Sequence, residues 1–146
     1  MKKIPIIIDS DTGIDDAVAI AIASYLPHLD VKLITSTYGN TSTLYSTENN
    51  LNLLSFINKS NIPVAKGADE LLSIKTINVS AHGKTGLGDF EFPKRETEAI
   101  KLSAVEAMHE VISSSNNKVT IVATGPLTNI ATFLNTYPED KKILKE

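Results

Sequence analysis

The chain has 146 residues, of which 14 are basic and 17 acidic, and its formal net charge is −3. Apolar residues make up 42% of the sequence, enough for the core of a single domain spanning residues 1–146, and no basic stretch indicates a nucleic-acid partner. The lack of cysteine excludes disulfides and thiolate metal sites, and with no signal peptide and no apolar run near the about 18 residues of a membrane span, we expect a cytoplasmic protein without a membrane partner.

Short β-branched runs alternate with helical segments in the first half of the chain. "IPIIID" predicts a buried strand, and "IDDAVAIAIASYL" predicts a helix that carries acids in its first turn and ends at Pro27. "VKLITSTYG" and "IPVAKG" predict the second and third strands. Between them, "STLYSTENNLNLLSFINK" has apolar residues close to helical spacing.

The second half of the chain continues this alternation after a long loop predicted over residues 67–96. "ETEAIKLSAVEAMHEVISSS", residues 96–115, predicts an amphipathic helix, and "KVTIVATG" predicts a fourth strand. "PLTNIATFLNTY" predicts a helix with Pro126 at its first position. The pattern predicts a doubly wound α/β fold, with a mostly parallel sheet and helices on both faces.

Polar residues follow three of the predicted strands, in "DSDTGIDD", "STYGN" and "ATGPLTN". Ligands of such sheets bind beyond the carboxyl ends of the strands. We therefore expect these three segments to meet at one site.

Four aspartates, Asp9, Asp11, Asp15 and Asp16, lie within eight positions of the first of these segments. Asp11 or Thr12 as a helix cap, with Asp15 and Asp16 complementing the helix dipole, explains one or two of these acids. A hard divalent cation with oxygen ligands explains more of them, because it relieves the repulsion among the carboxylates.

A cation among carboxylates suits either hydrolysis by an activated water or phosphoryl transfer. An apolar strand followed by Asp-x-Asp also resembles the magnesium-dependent haloacid-dehalogenase-like phosphatases. Those enzymes usually have Thr or Val where this chain has Gly13, and they lack the acidic pair that follows. A phosphatase is therefore the weaker alternative.

Three further residues are candidates for the site. Asn40 ends "STYGN" and offers an amide to a polyhydroxylated ligand, although it also suits an ordinary turn. His82 lies in the glycine-rich "SAHGKTGLGDFEFP", where it either closes over a ligand or is structural. Thr124 offers a backbone carbonyl to a metal, or belongs to a plain strand-to-helix turn.

Together the motifs "DSDTGIDDA", "YGN", "HGKTGLGD" and "TGPLTNIA" resemble the nucleoside hydrolase family of the inosine-uridine preferring type, with Thr12 where that family usually has proline. The resemblance implies a Ca²⁺-dependent glycosidase that hydrolyses the N-glycosidic bond of ribonucleosides, in nucleoside salvage. It implies that Asp11 is general base and metal ligand. It also implies that Asp16 and the backbone carbonyl of Thr124 are metal ligands, and that Asp9 supports the cluster without binding the metal. Asp15, Asn40 and His82 would contact the substrate.

Family members are about twice this length, and the motifs of their later half are not found in this sequence. We therefore expect an N-terminal half, with the C-terminal half absent, that binds calcium weakly and has little hydrolase activity. The alternative is a non-catalytic remnant that associates through an exposed sheet edge, as a possible homo-oligomer.

Overall fold

A parallel β-sheet organises the chain in the computed structural model, which describes residues 2–72, 82–88 and 90–142. Its four strands lie in the order β3-β2-β1-β4, with bounds β1 Ile4–Ser10, β2 Leu29–Ser36, β3 Val64–Lys66 and β4 Thr120–Ala123. The helices are α1 Ile14–Tyr25, α2 Thr43–Phe56, α3 Ala104–Ser113 and α4 Thr128–Thr136, followed by a 3-10 helix at Pro138–Lys142. The predicted doubly wound α/β fold is confirmed.

Both faces of the sheet are covered, which explains the unbroken apolar run in β1. Ile6 and Ile8 point into one core, which contains residues of α1 and α2. Ile7, which is fully buried, points into the opposite core, which contains residues of α3 and α4. A strand buried on both faces needs apolar residues at consecutive positions, so its sequence does not alternate.

The chain reverses its direction of winding at β1. It runs outward from β1 through β2 to β3, and then returns to place β4 on the other side of β1. In open α/β sheets such a switch point leaves a crevice at the carboxyl ends of the strands. The segment Asp9–Asp16, with its four aspartates, begins at that point.

The helix predicted over residues 96–115 is shorter in the structure, where α3 begins at Ala104. Ser103 caps it, accepting from the Glu106 N–H while the Glu106 carboxylate accepts from the Ser103 N–H. Upstream, the Ile100 N–H donates to the Val64 carbonyl at 2.9 Å, so this segment runs along β3 instead of forming a helix. The prediction was wrong for residues 96–103 because the helical periodicity of the sequence extends upstream of the capping box, where the helix begins.

The prediction for Pro126 was also wrong by two residues. The first helical residue of α4 is Thr128, and Leu127 occupies the cap position. The preceding turn is held instead by the Thr124 N–H, which donates to the Asp9 carbonyl at 2.9 Å. This bond keeps residues 124–126 at the strand end and delays the start of the helix.

No helix or strand occurs in the described parts of the predicted loop, residues 67–72, 82–88 and 90–96. Residues 73–81 and 89 of that loop, and the tail residues 143–146, lie outside the described residues. Over the described ranges, no helix combines the length and apolar character needed to cross a membrane.

Candidate functional site

Strand register brings the three predicted polar segments together. Asp9 of β1 is paired with Thr35 on one side and with Ala123 on the other. The carboxyl ends of β2 and β4 therefore flank that of β1, and the expectation that "DSDTGIDD", "STYGN" and "ATGPLTN" meet is confirmed.

Asp9 is fully buried beneath this edge of the sheet. Its Oδ1 accepts from Thr35 Oγ1 at 2.6 Å and from Asn129 Nδ2 at 2.8 Å, while its Oδ2 is buried without a hydrogen-bond partner among the described residues. Burial raises the pKa of Asp9, the two hydrogen bonds oppose that rise, and the Asp11 carboxylate adds to it. Asp9 is thus a buried acid close enough to Asp11 for the two carboxylates to interact.

Asp11, which follows Asp9 by two residues, is buried, with 6% of its surface exposed. Its Oδ2 accepts from the backbone N–H of Asn40 at 2.6 Å. Burial is the main cause that raises the pKa of Asp11, and the carboxylates of Asp16 and Asp15 raise it further.

Two glycines let the backbone approach the Asp11 carboxylate. A Cβ at Gly39 would lie 2.1 Å from Asp11 Oδ2, and one at Gly125 would lie 2.9 Å from Asp11 Oδ1. Neither space admits a side chain without movement of Asp11. The carboxylate is therefore held between the backbone segments that follow β2 and β4.

The adjacent acids Asp15 and Asp16, at the start of α1, have different environments. Gly13 is the cap residue, and its N–H donates to Asp16 Oδ2 at 3.0 Å, which corrects the expectation that Asp11 or Thr12 caps the helix. Asp16 is buried and lies on the Asp11 side, whereas the Asp15 side chain is 81% exposed. Asp11 and Thr12 cannot cap α1 because their side chains are bonded to α2 and to the loop before it.

Asn40 and Thr124 both contact the cluster, through their backbones. Asn40 supplies its N–H to Asp11, and its side-chain amide lies near Gly13, where a Cβ would be 3.1 Å from Asn40 Nδ2. Thr124 donates its N–H to the Asp9 carbonyl at 2.9 Å. The peptide that joins Thr124 to Gly125 therefore lies beside Asp11.

His82 lies over the start of α1. Its Nδ1 accepts from the Ile14 N–H at 3.4 Å and is 4.0 Å from Asp15 Oδ1. A Cβ at Gly13 would lie 2.3 Å from this Nδ1, so the imidazole needs a glycine beneath it. The structure thus brings His82 to the exposed acid of the cluster, although 68 residues separate it from Ile14.

Sequence reasoning missed the amides that organise the site. Asn129 donates to Asp9 Oδ1 and, at 2.9 Å, to the Ser36 carbonyl, and its own Oδ1 accepts from the Ala68 N–H. Asn49 of α2 donates to the carbonyls of Thr12 and Thr85. Asn129 stands in the quoted "GPLTN" motif, whereas Asn49 lies within a helical pattern that offered no signal for it.

The acidic and histidine side chains that could bind a metal lie closer together near His109 than in the aspartate cluster. Among the described residues, the one set of three His or acidic side chains with ligand atoms within 4.8 Å of one another is His109, Glu139 and Asp140. That set belongs to α3 and the 3-10 helix, where His109 Nδ1 and Asp140 Oδ2 are 2.7 Å apart. The four aspartates form no such set.

Comparisons with known proteins agree with this geometry. The model of the family described as "Inosine-uridine preferring nucleoside hydrolase" matches residues 6–146. A curated relative, the non-specific ribonucleoside hydrolase RihC of Klebsiella pneumoniae, is 40% identical over 139 residues, which cover 94% of this chain and 45% of the relative.

Two solved structures have the same fold. The plant nucleoside hydrolase PpNRh1 is 36% identical with a TM-score of 0.88, and it matches 96% of this chain and 45% of its own. The purine-preferring ribonucleoside hydrolase from Gardnerella vaginalis is 32% identical with a TM-score of 0.89, and it matches 96% of this chain and 46% of its own.

The chain thus spans less than half the length of these relatives. Within that span, the family model covers all but the first five residues. The order of the strands and the turn between β1 and α1, here called the aspartate turn, are consistent with that match. The chain belongs to the inosine-uridine preferring nucleoside hydrolase family.

Proposed function

We propose that this chain forms the cation-binding and ribose-binding side of a ribonucleoside hydrolase site, which cleaves the N-glycosidic bond. The observation that carries the proposal is the setting of Asp11, a buried carboxylate at the switch point of the sheet. It is fixed by the Asn40 N–H at 2.6 Å, and the carboxylates of Asp16 and Asp15 lie near enough to raise its pKa.

The donor set suits a hard divalent cation, and we propose Ca²⁺. Asp11 and Asp16, whose carboxylates lie close to each other, would supply oxygens, and Thr124 would supply its carbonyl. The buried Oδ2 of Asp9, which has no hydrogen-bond partner among the described residues, lies at the same edge of the sheet. Such a cation offsets the charge and lowers the pKa of a water bound to it.

Asp11 is the proposed general base for the attacking water. Burial raises the pKa of its carboxylate in the metal-free protein, and a carboxylate held beside the attacking water can accept the proton of that water. The Asn40 N–H and the close backbone at Gly39 and Gly125 hold that carboxylate in one orientation. A fixed base removes much of the entropic cost of aligning water with the bond that breaks.

Asp15 is the proposed contact for ribose hydroxyls, because it is the exposed member of the cluster. Its carboxylate can accept two hydrogen bonds from adjacent hydroxyls. Glycosidic cleavage places positive charge on the ribose, and nearby carboxylates stabilise that charge. The side chains of Asn40 and His82 both lie near Gly13, at the start of α1, and are proposed as further substrate contacts.

We propose that the substrate is a ribonucleoside and that the reaction serves nucleoside salvage. The relatives are named as non-specific, as purine-preferring and as inosine-guanosine hydrolases, so their names do not single out one base. Each of these relatives is about twice as long as the span matched here. The phosphatase alternative gains no support from the family match.

A second candidate is a non-catalytic chain, which corresponds to an N-terminal half of the family fold. This chain matches less than half the length of each of these relatives. Both candidates keep the same cation site, and they differ in whether this chain turns over nucleosides. We expect weak calcium binding and, for the chain on its own, little hydrolysis.

Calcium titration of the purified chain tests the proposed site. At a Ca²⁺ concentration 100 times the Kd, binding should stabilise the wild-type fold by about 2.7 kcal/mol in thermal melts. Asp11→Asn and Asp16→Asn should remove most of that gain. Asp30→Asn is the matched control, since Asp30 is partly exposed and pairs with Lys32 outside the crevice.

Release of base from inosine and uridine, measured with calcium and with a chelator, separates the two candidates. Turnover that depends on both calcium and Asp11 supports the enzyme, whereas calcium binding without turnover supports the non-catalytic chain. A wild-type protein whose melt is unchanged by calcium would argue against the proposed site itself.

A further inference from the structure

The residues 82–88, here called the His82 turn, lie against the start of α1. The turn closes on itself through the Gly88 N–H, which donates to the His82 carbonyl at 2.9 Å. Gly83, Gly86 and Gly88 have φ values of 79°, 88° and 63°, in the left-handed region that favours glycine. The turn therefore has a defined shape of its own, but it needs an anchor to set its position.

Asn49 supplies that anchor from α2. It is buried, and its side-chain amide donates to the Thr85 carbonyl at 2.7 Å and to the Thr12 carbonyl at 3.0 Å. The Thr85 carbonyl belongs to the His82 turn, and the Thr12 carbonyl belongs to the aspartate turn between β1 and α1, which carries Asp11. One amide group thus uses both of its hydrogens to join two segments of the site.

Close packing shows that this bridge leaves little freedom. A Cβ at Gly86 would lie 3.3 Å from Asn49 Nδ2 and 3.3 Å from the Thr12 carbonyl oxygen. A weaker second tie is the Thr41 hydroxyl, which donates to the Lys84 carbonyl at 3.3 Å. The direct contact of His82 with α1, its bond from Ile14 at 3.4 Å, is long by comparison.

We propose that Asn49 is a positioning residue, which holds His82 in register with the aspartate turn without touching the substrate. The inference rests on the proposed function in one respect, the role given to His82 in that site. Without the amide, the buried Thr12 carbonyl and the partly buried Thr85 carbonyl lose their donor, and the His82 turn separates from α1. The imidazole then loses its fixed place beside Asp15.

Nuclear magnetic resonance of Asn49→Leu, a substitution of similar size, tests the proposal. We expect the His82 ring nitrogen signals to move toward those of a free imidazole. Hydrogen exchange of the Gly88 and Ile14 amides should accelerate about tenfold or more, the effect of one lost hydrogen bond to a buried group. The amides of Ile7 and Leu33, in the centre of the sheet, should keep their protection.

Asn52→Leu is the matched control on the same helix. Asn52 accepts from Arg95 Nε at 2.8 Å and forms no hydrogen bond with either turn among the described residues, so this variant should leave His82, Gly88 and Ile14 unchanged. Unchanged His82 signals in Asn49→Leu would overturn the proposal. So would a loss of protection in the sheet equal to that in the turn, because Asn49 would then act on global stability alone.

These readouts are independent of nucleoside turnover. If the wild type binds neither calcium nor a ribonucleoside but Asn49→Leu still releases His82, the proposed function fails and the positioning role stands. If the wild type binds both and Asn49→Leu leaves His82 in place, the positioning role fails alone.

Discussion

At the scale of single residues, the aspartates of the β1 turn have distinct environments. Asp9 is enclosed by Thr35 and Asn129, Asp11 is bonded to the loop after β2, and Asp15 faces solvent. The buried carboxylates are costly when ionised, since no basic side chain among the described residues forms an ion pair with Asp9 or Asp11. This cost gives the metal-free protein a predictable response to pH.

Asp9→Asn should stabilise the metal-free protein at neutral pH, by on the order of 1–3 kcal/mol. The folded-state pKa of Asp9 lies above the ordinary value of 3.8, so the folded protein binds this proton more tightly than the unfolded chain does. The stability contributed by Asp9 is therefore full below that value and is lost as pH rises through the raised pKa. An asparagine oxygen still accepts the bonds from Thr35 and Asn129 without a charge.

Denaturant melts from pH 4 to pH 8 with a chelator present measure this effect. The wild type should lose stability with rising pH more steeply than Asp9→Asn, and Asp69→Asn, at an exposed acid paired with Lys66, should follow the wild type. Parallel curves for wild type and Asp9→Asn would contradict the prediction.

At the scale of elements, side chains from helices fix the turns that carry the site. Thr12 is fully buried, and its hydroxyl donates to Asn50 Oδ1 of α2 at 2.7 Å. Family members usually have proline at this position, which restricts the backbone directly. Here the bond to α2 restrains the same turn from a distance.

Thr12→Val should destabilise the fold by about 1–3 kcal/mol, the usual cost of leaving a buried polar group without its partner. Asn50 Nδ2 has no hydrogen-bond partner among the described residues, so the variant leaves the whole amide unpaired. Thr132→Val is the control, since its hydroxyl bonds only within α4, to the Thr128 carbonyl. Equal loss of stability in the two variants would refute the role given to Thr12.

The capping box of α3 sets where that helix begins, and Ser103→Ala should cost about 1 kcal/mol of unfolding free energy. The bonds from Ser103 also lower the pKa of Glu106, so this contribution is present above the ordinary glutamate value and is lost as pH falls through the lowered pKa. Chemical denaturation at neutral pH measures the change. Ser113→Ala, in the last turn of the same helix, should leave stability unchanged or slightly higher.

At the scale of the whole molecule, the two edges of the described sheet differ. The β3 edge is covered by the segment that ends at Ile100, which bonds to Val64. The β4 edge pairs only with β1 among the described strands, and Val122 is 40% exposed there. An open edge with an apolar side chain favours pairing with another chain.

Val122→Lys should therefore lower any self-association of the purified chain, because a charge at a sheet edge opposes pairing. Sedimentation velocity over a range of concentrations measures it. Val18→Lys is the control, since Val18 is an exposed apolar residue on α1, remote from the β4 edge. A wild type that is monomeric at all concentrations would contradict the prediction of a homo-oligomer.

The sequence by itself determined the order of strands and helices, the parallel sheet and the cluster of aspartates. These features follow from local information, since apolar periodicity and turn residues report on the chain within a few positions. Because these signals are local, the positions predicted for the start of α3 and for the cap of α1 were wrong. At α1, the side chains of Asp11 and Thr12 are bonded to the loop before α2 and to α2. At α3, the Ile100 N–H is bonded to the Val64 carbonyl, and the capping box at Ser103 begins the helix.

Only the tertiary structure decided how the acids divide into buried and exposed members, and which amides hold them. Asn129 is 120 residues from Asp9 and Asn49 is 37 residues from Thr12, so their contacts exist only once the sheet and α2 are assembled. Burial, which raises the pKa values of Asp9 and Asp11, is likewise a property of the packed crevice. Residue types are read along the chain, whereas hydrogen-bond partners and desolvation depend on distances in space.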